Sequence, residues 1–198
     1  MPIARLIATR VVMKDSENPL NAQINDIARS LVARLPGLNC FLCAVESCTG
    51  GLIADRITEV PGSSDMFWGS IVAYENSAKE GLLDVPGHVL LRRGAVSPEV
   101  AQMLAESGLR NMKNAWAAAR STGRSVPQRF ACIATTGIAG PGGGTAQKQV
   151  GLCYIALAVD NESATVREVH APEGLGRTGN KQYFARAALE LVAQALLK

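Results

Sequence analysis

The segment Cys40-Phe41-Leu42-Cys43-Ala44-Val45-Glu46-Ser47-Cys48-Thr49-Gly50-Gly51 decides the fold of this chain. An unbroken apolar run between Pro36-Gly37 and a glycine pair reads as a strand buried on both faces. A helical pattern precedes it over Asn18 to Leu35, where Ile24, Ile27, Ala28, Leu31, Val32 and Leu35 recur three and four apart. A second helix follows from Leu52 to Glu59. Helix, buried strand, glycine turn and helix in succession are the building unit of an α/β protein.

Working outward, Phe67 to Tyr74 reads as a second strand, with Asn76 placed to cap a helix over Ser77 to Leu83. Val85-Pro86-Gly87 breaks the chain. Ser97-Pro98-Glu99 starts a helix, with serine as cap and proline at the first helical position. It runs through Val100, Met103, Leu104 and Leu109 and extends toward Arg120, and Ser121 to Gln128 is a polar connection. Phe130 to Thr135 is a third buried strand. Val150 to Val159 and Ala164 to His170 are two more, joined by a hairpin at Asn161-Glu162-Ser163. An amphipathic helix closes the chain over Gly179 to Leu197. The expected fold is a single-domain three-layer α/β sandwich, a mixed sheet flanked by helices, over residues 21–198. Residues 1–20 read as an N-terminal extension.

Composition narrows the function. With 198 residues and 47% hydrophobic content the chain can bury a sizeable core. A formal charge of +3, with scattered basic residues, argues against nucleic acid or an acidic membrane as partner. Arg5, Arg10 and Lys14 interrupt the apolar N-terminus, so it lacks a secretory pattern, and no apolar run nears the ~20 residues of a membrane span. A cytoplasmic location is expected. The five cysteines are then expected as free thiols. Cys40 and Cys43 form a CxxC, but three apart on a strand they face opposite sides and cannot share a metal. No metal site is expected.

Two glycine-rich turns carry the chemistry. Glu46-Ser47-Cys48-Thr49-Gly50-Gly51 joins a strand end to a helix start, where ligands collect in α/β sheets and where helix N–H groups stabilise an anion. It offers three nucleophile candidates in a row, Ser47, Cys48 and Thr49. The plainer alternative is a turn whose hydroxyls only cap the helix. Thr136-Gly137-Ile138-Ala139-Gly140-Pro141-Gly142-Gly143-Gly144 follows another buried strand. So many glycines suit a backbone that passes close to a ligand such as phosphate. Between the two lies Tyr74-Glu75-Asn76-Ser77-Ala78-Lys79. A partly desolvated Lys79 could serve as base to a serine; an exposed helix lysine is the alternative. His88 lies in a Pro-Gly loop and His170 ends a strand, and neither has an Asp partner in an evident triad context.

These segments, with Val60-Pro61-Gly62-Ser63-Ser64, Gly94-Ala95-Val96-Ser97 and Lys148-Gln149-Val150-Gly151, resemble the CinA C-terminal domain family of competence/damage-inducible proteins. That family includes the nicotinamide-nucleotide amidases. The resemblance implies a cofactor-independent amidohydrolase that converts nicotinamide mononucleotide to nicotinate mononucleotide and ammonia, within the pyridine nucleotide cycle. Ser47 corresponds to the motif serine, Lys79 to its lysine, Tyr74 to the tyrosine before it and Thr136 to the loop threonine. The resemblance further implies substrate contacts from Glu46, Cys48, Thr49, Gly50, Gly51, Asn76, Gly137, Gly140, Gly142, Gly143 and Arg186. Two departures stand out. Glu75 occupies a position where the family usually has serine, and Asn180-Lys181 stands in place of Asp-Arg after Gly179. They keep open a second reading, a nucleotide-binding module without turnover, and Cys48 as nucleophile is a third. A homodimer or higher homo-oligomer is expected, with the Val96 to Leu109 helix and Tyr183-Phe184 as candidate surfaces.

Overall fold

A computed structural model describes residues 19–119, 123, 126–160 and 162–198. All but Pro19 and Leu20 of the expected extension lie outside the described residues, as do Asn161 of the hairpin and half of the Ser121 to Gln128 connection. Strand β1 (Cys40–Glu46) is buried along its whole length, as its apolar run predicts. It pairs in parallel with β2 (Phe67–Val72) on one side and β3 (Arg129–Gly137) on the other. Beyond β3 the sheet turns antiparallel through β4 (Leu152–Val159) and β5 (Thr165–His170), giving the order β2-β1-β3-β4-β5. The sheet is therefore mixed, and helices cover both faces.

Side-chain alternation along the strands splits the core in two. Cys40, Leu42, Ala44, Ile133 and Ile155 pack against α1 (Pro19–Arg34), α2 (Leu52–Thr58) and α6 (Gly176–Leu196). Cys43, Val45, Cys132 and Ala134 pack against α3 (Asn76–Leu83), α4 (Gly87–Arg93) and α5 (Pro98–Ala118). Cys40 and Cys43 thus serve opposite layers. Helix α5 lies so close to the sheet that a Cβ on Gly108 would sit 2.5 Å from both Cys132 Sγ and Val45 Cγ2. As expected, Ser97 caps α5, its hydroxyl accepting from the Val100 amide at 3.4 Å.

Three local readings are corrected. The stretch after Pro86, read as a break, forms the short helix α4, because Pro86 in extended conformation is a helix N-cap and not an obstacle. Glu75, not Asn76, caps α3, its carboxylate accepting from the Ser77 amide, and Asn76 is the first helical residue. Of the two surfaces expected at an interface, α5 buries Val100, Leu104 and Leu109 on the sheet and Phe184 is fully buried in the opposite core, so Tyr183 and the outer face of α5, with Met103, are the parts left partly exposed.

Candidate active site

Because β1 and β3 are parallel neighbours, both glycine-rich turns leave the same edge of the sheet. β2 ends there as well, delivering Tyr74 and, through the first turns of α3, Lys79. A cavity of about 270 Å³ lies between them. Its walls include Ser47, Cys48, Tyr74, Lys79, Thr136, Gly137, Gly140, Gly142 and Gly143, so nine of the sequence candidates converge on one space. Ala95, Val96, Ile138, Ala139 and Arg177 complete it.

Lys79 is buried, with 1% of its surface exposed. Its Nζ donates to the carbonyls of Ala73 and Tyr74, each at 2.9 Å. With two positions of Nζ taken by these carbonyls, Lys79 still lines the cavity. Burial pushes the lysine below its ordinary value of 10.5, and the attraction of Glu75 and Cys48 works against that shift without cancelling it. Glu75 is solvent-exposed, and hydrogen bonds from the Ser77 side chain and then from the Ser77 and Asn76 amides hold it below the usual carboxylate value. Thr136 donates its hydroxyl to the Ala95 carbonyl at 2.7 Å, tying the end of β3 to the loop before α5.

The first turn differs from the expectation. Glu46 is completely buried, and its carboxylate accepts from the amides of Gly51 (2.9 Å), Ile53 (3.0 Å) and Ala54 (3.0 Å) and from the Ser70 hydroxyl (3.1 Å). The N-terminus of α2 already holds an anion, the protein's own. Gly50 donates to the Ser47 carbonyl and Leu52 to that of Thr49, which consumes two further amides. Thr49 turns inward to bond Thr135 at 2.9 Å. Glu46, Thr49, Gly50 and Gly51 therefore build the turn and do not line the cavity. The amides of Cys48 and Thr49 are the ones in this turn that no described acceptor takes up.

The second turn is the open one. The amides of Ala139, Gly140, Gly142 and Gly143 have no acceptor among the described residues. Gly140, at φ +83, could not become a larger residue: its Cβ would meet Val150 Cγ1 at 2.6 Å. The cation beside this loop is Arg177, which donates to the Gly140 carbonyl and, at 2.9 Å, to the Tyr74 hydroxyl. Sequence reading missed it, because Gly174 and Gly176 placed it in a loop before the expected helix start at Gly179. Arg186, expected at the substrate, instead pairs with Glu190 at 2.8 Å and stacks on Tyr183, away from the cavity walls. Asn76 also lies outside them, exposed on α3.

Helix α6 holds both turns with residues on one face, three and four apart. Asn180 is buried and donates to the Ala139 carbonyl at 3.1 Å. Lys181 reaches over the first turn, its Nζ 3.5 Å from where a Gly50 Cβ would stand. Asn180 thus fastens the second turn, and Lys181 lies over the first.

Comparison with known proteins adds an independent line. A model of the CinA C-terminal domain matches residues 24–130 and 124–196. A CinA-like protein of Leptospira borgpetersenii is 37% identical over 171 residues, covering 86% of this chain, and one of Trichormus variabilis is 38% identical over 156 residues, covering 79%. The chain spans 37% and 34% of the length of those two relatives. Among solved structures, the competence/damage inducible protein CihA of Agrobacterium tumefaciens superposes with a TM-score of 0.76 at 35% identity, covering 89% of this chain and 96% of that one. A CinA superfamily protein of Escherichia coli shares the fold, with a TM-score of 0.74 at 24% identity and 99% coverage of both. With its fold, its glycine turns and these matches in agreement, the chain belongs to the CinA C-terminal domain family.

Proposed function

We propose that this cavity hydrolyses the carboxamide of nicotinamide mononucleotide, releasing nicotinate mononucleotide and ammonia. The observation that carries the reading is that Ser47 and a buried lysine line one cavity, the lysine held on two backbone carbonyls. The family resemblance supplies the substrate class.

In this reading Ser47 Oγ attacks the amide carbon while neutral Lys79 takes its proton. The oxyanion falls to the free amides of Cys48 and Thr49, not to those of Gly50 and Gly51, which are spoken for. The Lys79 ammonium then protonates the leaving nitrogen, and ammonia departs. Water attacks the acyl-serine with Lys79 again as base, and nicotinate mononucleotide leaves. The phosphate sits on the second turn, where the free amides of Gly140, Gly142 and Gly143 and the Arg177 guanidinium offer an anion site. No cofactor or metal takes part, and we propose a cytoplasmic homo-oligomer. The half-exposed edge strand β2 joins Tyr183 and the outer face of α5 as a candidate interface.

Ammonia release from nicotinamide mononucleotide by the Ser47→Ala variant is the test. Turnover should vanish while affinity stays within a few-fold, so the loss appears in kcat and not KM. Retained turnover in Ser47→Ala, with loss in Cys48→Ser, would move the nucleophile by one residue. Nucleotide binding by the unmodified protein without ammonia would favour a module that binds and does not hydrolyse.

A further inference from the structure

Cys48 and Cys153 are separated by 105 positions, yet their sulfurs lie 3.6 Å apart. Cys48 follows Ser47 and lines the cavity. Cys153 is the second residue of β4, paired across the sheet with Gly137, the residue at which β3 passes into the second turn. A thiol contact therefore ties the first turn to β4, beside the strand end from which the second turn leaves.

A second cysteine couple serves as an internal control. Cys43 and Cys132 are register partners on β1 and β3, but they lie beneath α5 and neither lines the cavity. Proximity is common to both couples, and access belongs to one. Burial pushes the Cys153 thiol well above its ordinary value, which makes it a poor first nucleophile. Cys48 is the member that meets a reagent entering from the cavity.

We propose that Cys48 and Cys153 form a peroxide-responsive dithiol whose oxidation to a disulfide locks the turn that carries Ser47. In the first step Cys48 sulfur attacks one oxygen of hydrogen peroxide. The S–O bond forms, the O–O bond breaks, and the departing hydroxide takes up the thiol proton as water. In the second step Cys153 sulfur attacks the Cys48 sulfenic acid. The S–S bond forms, the S–O bond breaks, and the leaving hydroxide takes the Cys153 proton as a second water. Two thiols lose two electrons, and hydrogen peroxide becomes two waters. Closing the sulfurs from 3.6 Å to the roughly 2.05 Å of a disulfide drags Cys48 toward β4. The Cys48 amide and the adjoining Ser47 move with it.

The test treats the full chain with hydrogen peroxide, alkylates free thiols after unfolding, and maps the peptides by mass spectrometry without reductant. The expected result is a Cys48–Cys153 cross-linked peptide, lighter by two hydrogens and reversed by dithiothreitol, with Cys40, Cys43 and Cys132 alkylated. Cys153→Ala should lose the cross-link and accumulate sulfenic or sulfinic acid at Cys48. Free Cys48 and Cys153 after treatment, or a Cys43–Cys132 disulfide in their place, overturns the proposal. So does unmodified Cys48 in the Cys153→Ala variant. These readouts need no enzymatic activity, so they stand apart from the amidase reading. A cross-linked protein that releases ammonia as fast as the reduced one refutes the locking of the turn.

Discussion

Glu46 offers the sharpest separation between a residue that builds the site and one that touches substrate. Replacing it with alanine strands the three α2 amides and frees the Ser70 hydroxyl, which can rotate to another acceptor. An orphaned buried donor costs about 1–3 kcal/mol, and Ile53 is fully buried. Gly51 and Ala54 are half-buried and water can reach them, so each adds only about 0.5 kcal/mol. Losing the carboxylate at a helix N-terminus contributes about another 0.5–1 kcal/mol. The sum is about 2.5–5 kcal/mol for Glu46→Ala, a large part of the ~5–15 kcal/mol that holds a typical domain. Glu46→Gln keeps one acceptor oxygen but turns an NH2 toward an amide, and should cost about 1–2 kcal/mol. Guanidinium unfolding at neutral pH reads both values, with the denaturant slope unchanged. If Glu46→Ala unfolds within about 1 kcal/mol of the parent, the capping argument fails. If stability holds while KM rises tenfold, Glu46 contacts substrate after all.

Lys79 should leave a signature in alkaline solution. Its folded-state value lies below 10.5, so between that value and 10.5 the unfolded chain holds the extra proton and stability rises with pH. The stability of the parent relative to Lys79→Ala should therefore improve as pH climbs toward 10.5, and a flat difference would contradict the burial argument. Arg177→Ala should raise KM for the nucleotide by roughly 10- to 100-fold, the equivalent of about 1.5–3 kcal/mol for a charge-assisted contact, with kcat little changed. An unchanged KM would move the phosphate elsewhere. Gly108→Ala should destabilise by about 1–2 kcal/mol despite alanine's better helix propensity, because its methyl meets Cys132 and Val45 at 2.5 Å. A more stable variant would show that α5 can lift from the sheet.

The layers of the fold were legible because burial writes itself into local pattern. The apolar run at Cys40 to Val45 could only be a strand covered on both faces, and the 3.6-residue period before it only a helix. Convergence of Ser47, Tyr74, Lys79 and Thr136 was legible too, since each stands at or just beyond a strand end. What escaped depends on distant partners. Glu46 acts on amides five to eight residues downstream and on Ser70 of the neighbouring strand, beyond the reach of any capping pattern. Arg177 enters the cavity because α6 begins at Gly176, three residues before its apolar period becomes visible. Arg186 has the expected residue type on the same helix, but its rotational position takes it to Glu190. Residue type was read correctly there, and direction was not.

The second glycine turn has both of its feet tied. Ile138 donates to the Leu152 carbonyl and Gly151 to that of Ile138, each at 2.8 Å, so the chain leaves β3 and re-enters β4 through one clasp. Between these feet the segment is a closed lariat, and its length is nearly independent of the rest of the molecule. Lengthening such a loop costs little, about 0.6 kcal/mol for each doubling. Insertions or deletions between Ile138 and Gly151 can thus reshape one wall of the cavity while Ser47 and Lys79, fixed by other elements, keep their places. A lineage could trade one ligand for another there, by changing loop length alone, without rebuilding its reactive centre.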